Sequence, residues 1–258
     1  MPMQWLAGTS GYSYKEWKGT FYPDTCKPEE MLGFYARHLP AVEINNTFYR
    51  MPKRHVLAQW ADSVPANFRF ALKASRRITH QSRLNNVEEA AFYLARGAEV
   101  LEDRLGAVLF QLPPTMKCDV DRLQAFLQIW PRALPAAMEF RHPSWFVPEV
   151  LDALQAYGVA LCASEDDDGL RSDTIGTADW LYLRLRRPGY TTQRLAGWIK
   201  RARATGARTT FAFFKHEDQG AGPALAERFL ALTARPEAKR APRKETTAAR
   251  QRSSRSGR

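Results

Sequence analysis

Short runs rich in β-branched, aromatic and aliphatic residues alternate with stretches where apolar positions recur every three or four residues. Eight such runs are present: Gln4 to Thr9, Ala41 to Asn46, Arg69 to Ala74, Gly106 to Leu112, Ala136 to Arg141, Val159 to Ser164, Trp180 to Arg186 and Thr209 to Lys215. Between them, helical faces are written by Met31/Leu32/Tyr35/Leu39, Ala90/Ala91/Leu94/Ala98/Leu101, Leu123/Phe126/Leu127/Trp130, Leu195/Trp198/Ile199/Ala202 and Leu225/Phe229/Leu232. Strand-then-helix alternation predicts a parallel sheet joined by crossover helices. Eight units within residues 1–234 predict a single α/β domain, a (β/α)8 TIM-like barrel, since that fold uses about 250 residues. An open doubly wound sheet is the alternative. The sixth unit is the weakest: Glu165-Asp166-Asp167-Asp168-Gly169 leads into a polar stretch, and a loop or irregular helix is expected there.

The pattern stops at Arg235, and residues 235–258 offer no apolar face, so they are expected to form a disordered basic tail. That division changes the meaning of the net charge. Of the +11 carried by 258 residues, the tail's nine Lys/Arg and two Asp/Glu supply +7, which leaves a nearly balanced barrel. The three cysteines, Cys26, Cys118 and Cys162, are far apart and form no C-x-x-C pair, which points to a reducing, cytoplasmic setting. No basic-then-apolar leader and no membrane-length apolar run is present. Neither a dinucleotide nor a P-loop fingerprint follows any strand, so no nucleotide cofactor is indicated.

Strand parity then sorts the polar residues, because alternate side chains in a barrel face the helices and the lumen. Val42 and Ile44 share one face of their strand, leaving Glu43 and Asn45 on the other. By the same rule Lys73, Gln111, Glu139, Arg141 and Arg184 turn inward near the carboxyl ends of their strands. Unpaired burial of these charges would cost several kcal/mol each. They are therefore either structural ion pairs, Glu43 with Lys73 and Glu139 with Arg141, or a ligand site at the rim where barrel active sites lie.

Several ordered motifs resemble those of the DUF72, or YecE-like, family of TIM-barrel proteins, a group without a settled biochemical function. They are Gly8-Thr9-Ser10-Gly11-Tyr12-Ser13-Tyr14 with Trp17, Gly19 and Phe21-Tyr22-Pro23; Val42-Glu43-Ile44-Asn45-Asn46-Thr47-Phe48-Tyr49; Lys73-Ala74-Ser75-Arg76-Arg77-Ile78-Thr79-His80 with Arg83-Leu84; Gln111-Leu112-Pro113-Pro114; and Glu139-Phe140-Arg141-His142 with Ser144-Trp145. The resemblance runs over about residues 5–232. Two departures stand out: Tyr12 replaces a Trp common in relatives, and Lys215-His216-Glu217-Asp218 replaces an Asn-rich stretch.

Chemically, Glu43 and Glu139 are candidates for an acid/base pair if their environments hold different protonation states. Lys73 suits an electrophilic stabiliser or an amine nucleophile. Arg77, Arg83, Arg141 and Arg184 suit a carboxylate or phosphate, with Tyr12, Tyr49 and Trp145 as stacking walls. Ser10, Asn45, His80, Gln111 and His142 complete the expected ligand-binding set. These residues point to a barrel enzyme, a hydrolase or isomerase, acting on a small polar or anionic substrate such as a sugar derivative or phosphorylated metabolite. Glu43, Glu139, His80 and His142 are an alternative set of ligands for a divalent metal, without recognised ligand spacing. The competing classes are nucleic-acid binding or processing, non-specific through the basic tail and the Arg184-Leu185-Arg186-Arg187 rim, and a barrel that binds ligand without chemistry. Cys162 reads as a small core residue, and His38, His55 and His216 as solvated.

Overall fold

The computed structural model describes residues 2–166, 169–215 and 220–234. The tail expected from residue 235 onward, and His216, Glu217 and Asp218, lie outside the described residues. The described residues form nine strands: β1 (Gln4–Ser10), β2 (Ala41–Ile44), β3 (Arg69–Lys73), β4 (Leu105–Gln111), β5 (Ala136–Glu139), β6 (Ala160–Asp166), β7 (Gly169–Ser172), β8 (Trp180–Leu185) and β9 (Thr209–Phe214). Their order is β5-β4-β3-β2-β1-β9-β8-β6-β7, and a further β5–β6 pairing closes eight parallel strands into a barrel. The open-sheet alternative is thereby set aside.

Among the described residues seven α-helices cover it: α1 (Met31–His38), α2 (Arg54–Asp62), α3 (Glu88–Ala98), α4 (Val120–Ile129), α5 (Pro148–Tyr157), α6 (Thr192–Ala204) and α7 (Ala221–Thr233). Their ends follow local chemistry. Asp119 caps α4 and Thr191 caps α6 by accepting backbone N–H bonds, and Gly158, at φ 66°, closes α5 in the left-handed region. The sixth crossover departs from expectation. In place of a loop or irregular helix, β7 returns antiparallel to β6, beginning at Gly169 with φ 112°.

Strand parity divides the interior as expected. Val42, Ile44, Phe70, Leu72, Phe110, Met138, Leu183 and Leu185 join the core beneath the helices. The lumen holds Ala41, Ala71, Ala107, Ala137 and Ala160 on β2 to β6, opposed by Tyr182, Phe211 and Phe213 on β8 and β9. Small residues on one wall make room for rings from the other, so the lumen is packed and the charged layer above it has a solid aromatic floor. Between β1 and β2, a Cβ on Gly8 would stand 1.7 Å from the Ala41 carbonyl oxygen and 2.8 Å from the Tyr35 hydroxyl. Tyr35 uses that space: its hydroxyl accepts from Thr9 N–H (2.8 Å) and donates to the Ala41 carbonyl (2.9 Å), tying the two strands together.

Candidate active site

Arg184 lies at the centre of the rim, on β8 and 2% exposed. Its Nη2 donates to Glu43 Oε1 (2.9 Å) and its Nη1 to Glu139 Oε2 (2.5 Å), so one guanidinium bridges two fully buried carboxylates. Glu43 also accepts from Ser10 Oγ and from the Tyr182 hydroxyl, both at 2.7 Å. Glu139 accepts from Gln111 Nε2, 2.9 Å from each of its oxygens, and from Arg186 Nη2 at 3.0 Å, with Arg141 Nε 3.7 Å away. Burial alone would raise both carboxyl pKa values, but the Arg184 charge and these hydrogen bonds outweigh it. Glu43 falls below the usual carboxylate range, and Glu139 falls to about 2.

This corrects two expectations. The surroundings lower both carboxyl pKa values, so the two environments favour the same, ionised form and not the different protonation states expected of an acid/base pair. The pairing also differs: Glu43 is matched with Arg184, while Lys73 has no carboxylate within 4 Å of its ammonium among the described residues. Instead Lys73 Nζ lies 4.3 Å from the centre of the Phe48 ring. Thr47 fixes that ring in place by donating to the carbonyls of Ile44 (2.9 Å) and Lys73 (2.7 Å), across the ends of β2 and β3. Desolvation, then the nearby Arg184 charge, push the Lys73 amine down to about 8.

The segment after β3 is a π-helical turn, Arg77–Gln81, followed by Arg83, Leu84 and Asn86 at φ 48°, 64° and 50°. Such turns and left-handed non-glycine residues gather at functional sites. The turn also brings His80 against Phe48, edge-on with ring centroids 4.9 Å apart. Burial, then the positive charge of Lys73, lower its pKa.

Other expected ligand residues are placed elsewhere. Trp145 is fully buried, stacked on Phe140 at 4.6 Å, with its indole N–H on the Met116 carbonyl, so it is a core residue and not a ligand wall. His142 bonds Ser144, whose hydroxyl accepts from Cys118 N–H, and so anchors a loop. Tyr12 and Asn45 line a separate cavity of about 140 Å³ beside Trp60. Tyr49, Arg77 and Arg83 are exposed outside the charged layer. The set Glu43, Glu139, His80 and His142 is not assembled, and among the described residues no three His, Cys, Asp or Glu side chains gather as metal ligands. Cys162 is buried in the lumen as expected. Arg186, expected only as part of a basic rim for nucleic acid, meets Glu139 instead, and Tyr182 is not singled out by the sequence, although each lies two residues from Arg184 and shares its inward parity.

The family model described as "Protein of unknown function DUF72" matches residues 6–250. A DUF72 family protein of Thermotoga maritima MSB8 superposes with a TM-score of 0.75 at 26% identity, over 89% of this chain and 98% of that one. The UPF0759 protein YunF of Bacillus subtilis is 30% identical over 139 residues, 50% of this chain and 49% of the relative. YecE of Escherichia coli K12 is 33% identical over 113 residues, 43% of this chain and 42% of the relative. Each match to these curated relatives thus spans about half or less of their length. Among the described residues, no helix is long and apolar enough to cross a membrane.

Proposed function

The chain belongs to the DUF72 family, and from that premise we propose a barrel enzyme for a small polar, anionic substrate, a sugar derivative or phosphorylated metabolite, held at the Arg184 rim. The observation that carries this reading is the charge inventory. Two buried carboxylates, Glu43 and Glu139, with Asp166 acting on Arg141 from the end of β6, stand among four cations: Lys73, Arg141, Arg184 and Arg186. An uncompensated positive surplus in a largely buried rim favours an anion. The Nε–H groups of Arg184 and Arg186 add buried donors that have no acceptor among the described residues. Under this reading Glu43 and Glu139 hold Arg184 in place, and proton movement falls to Lys73 and His80. Calorimetric titration tests it, with a sugar phosphate against the same sugar unphosphorylated. Preference for the phosphate, weakened about tenfold or more by Arg186→Ala, is expected for a lost charged contact of 1.5–3 kcal/mol. Equal or absent binding of the two sugars would sink the reading.

A second reading, nucleic-acid binding, draws on one feature outside the rim. A groove of about 520 Å³ runs past Arg77 and Arg96 beside Phe92 and Tyr93 on α3, which are 67% and 63% exposed. Exposed rings beside arginines suit stacked bases of a single strand. Oligonucleotide binding by the full chain that falls with salt, and falls again on Phe92→Ala with Tyr93→Ala, is the outcome that reading requires.

A further inference from the structure

We infer that Lys73 is a nucleophilic amine that forms an imine with the carbonyl carbon of an anionic aldehyde or ketone, and that His80 moves the protons of that step. This deepens the anionic-substrate reading and rests on it. Lys73 ends β3 at the charged rim and is only partly buried. Every other cation of the charged layer has a carboxylate: Arg184 has two, and Arg186 and Arg141 share Glu139. An amine without a carboxylate partner, withdrawn from water and with arginines nearby, is suited to lose its proton and attack. Its lowered basicity agrees with that geometry.

His80 supplies what the amine lacks. Lys73 Nζ and the His80 ring pack on the same Phe48 side chain. The Thr79 hydroxyl lies 2.9 Å from His80 Nδ1 and 3.3 Å from the Ser75 carbonyl; the step uses the tautomer in which the hydroxyl donates to that carbonyl and Nδ1–H donates to Thr79, so that Nε2 holds the free lone pair. Nε2 has no partner among the described residues, leaving it available to a reacting group.

The step balances without a further reagent. Lys73 gives its ammonium proton to His80 Nε2, the neutral amine nitrogen attacks the carbonyl carbon, and the carbonyl π electrons pass to oxygen, which takes that proton from His80. The new C–N bond's nitrogen gives a proton to His80 Nε2, which returns it to the carbinol oxygen. That oxygen leaves as water while the nitrogen lone pair forms the C=N bond. The protonated imine then withdraws electrons from the adjacent carbon, the activation needed for isomerisation or C–C cleavage.

The test is borohydride trapping on the full chain, with glyoxylate and, separately, dihydroxyacetone phosphate as probes. Peptide mapping by mass spectrometry follows, with exposed Lys200 as internal reference. Reduced adduct on Lys73 in at least tenfold excess over Lys200 at pH 7.5 is expected, with none at that position in Lys73→Arg. His80→Gln should slow Lys73 labelling about 100-fold or more, the range of a lost general base. Labelling of Lys73 no faster than Lys200 with both probes overturns the imine, and unchanged labelling in His80→Gln overturns the role of His80. Binding of dihydroxyacetone phosphate without reductant, measured by calorimetry, separates the two levels. Binding without trapping leaves the anion site standing and removes the imine, whereas absence of both removes the anion site as well.

Discussion

Arg184 holds two carboxylates in a place where water cannot screen them, and each carboxylate depends on the guanidinium between them. Breaking a buried pair by deleting one partner typically costs about 3–5 kcal/mol, because a charge is left without compensation. Glu139→Gln is therefore expected to lower unfolding stability by an amount in that range, and Arg184→Met by at least as much, since it strands Glu43 and leaves Glu139 only Arg186 and Arg141. The combined Glu43→Gln, Glu139→Gln, Arg184→Met variant removes all three charges and should be more stable than Arg184→Met alone. Urea denaturation of the three proteins reads this directly. A triple variant less stable than Arg184→Met would mean that the cluster contributes through shape and not through charge. Inward parity was legible at Glu43, Lys73, Gln111, Glu139 and Arg184, because period-two alternation is a local property. Partner choice was not. Glu43 meets Arg184 instead of Lys73 because the barrel brings β8 across the lumen, and no spacing within one strand records that contact.

At the level of elements, the β1–β2 seam is held by what fills it. Gly8 leaves room for the Tyr35 hydroxyl, and that hydroxyl serves groups on both strands. Tyr35→Phe would leave the Thr9 N–H and the Ala41 carbonyl without this partner in a buried seam, at about 1–3 kcal/mol. Gly8→Ala should be worse, since a methyl group at 1.7 Å from the Ala41 carbonyl oxygen forces the strands apart and pulls Ser10 from Glu43. Thermal unfolding should rank wild type above Tyr35→Phe and both above Gly8→Ala; a Gly8→Ala protein matching wild type would show that the seam opens freely. Sequence periodicity located the eight barrel strands because each repeats the same strand-then-helix pattern. It missed β7, where Glu165, Asp166 and Gly169 read as a polar connection, and the pairing with β6 is a long-range outcome that short polar runs do not announce. The π-turn carrying His80 was equally hidden, since the run Arg77-Ile78-Thr79-His80-Gln81 has no distinctive composition.

For the whole molecule, the same site should shape stability at opposite ends of the pH scale. Glu139 has a folded pKa of about 2, below the roughly 4.3 of an unfolded glutamate. The stability it contributes is complete above that unfolded value and is lost as pH falls through 2. Lys73 behaves oppositely in kind. Its folded pKa of about 8 lies below the roughly 10.4 of an unfolded lysine, so the unfolded chain binds more protons between those values and stability rises with pH there. At neutral pH the buried ammonium is a net cost, in keeping with a residue placed for chemistry over stability. The buried tyrosines Tyr22, Tyr35 and Tyr190 are raised well above their ordinary value by desolvation, and their contribution is lost as pH climbs past about 10. Subtraction isolates the lysine: Lys73→Met, which retains most of the packing volume, should be more stable than wild type below pH 8. That advantage should shrink steadily as pH approaches 10.4, because the unfolded lysine then loses its proton too. Urea titrations of both proteins at intervals from pH 6 to 10 measure the difference, and a difference independent of pH would show that Lys73 keeps an ordinary ammonium in the folded barrel.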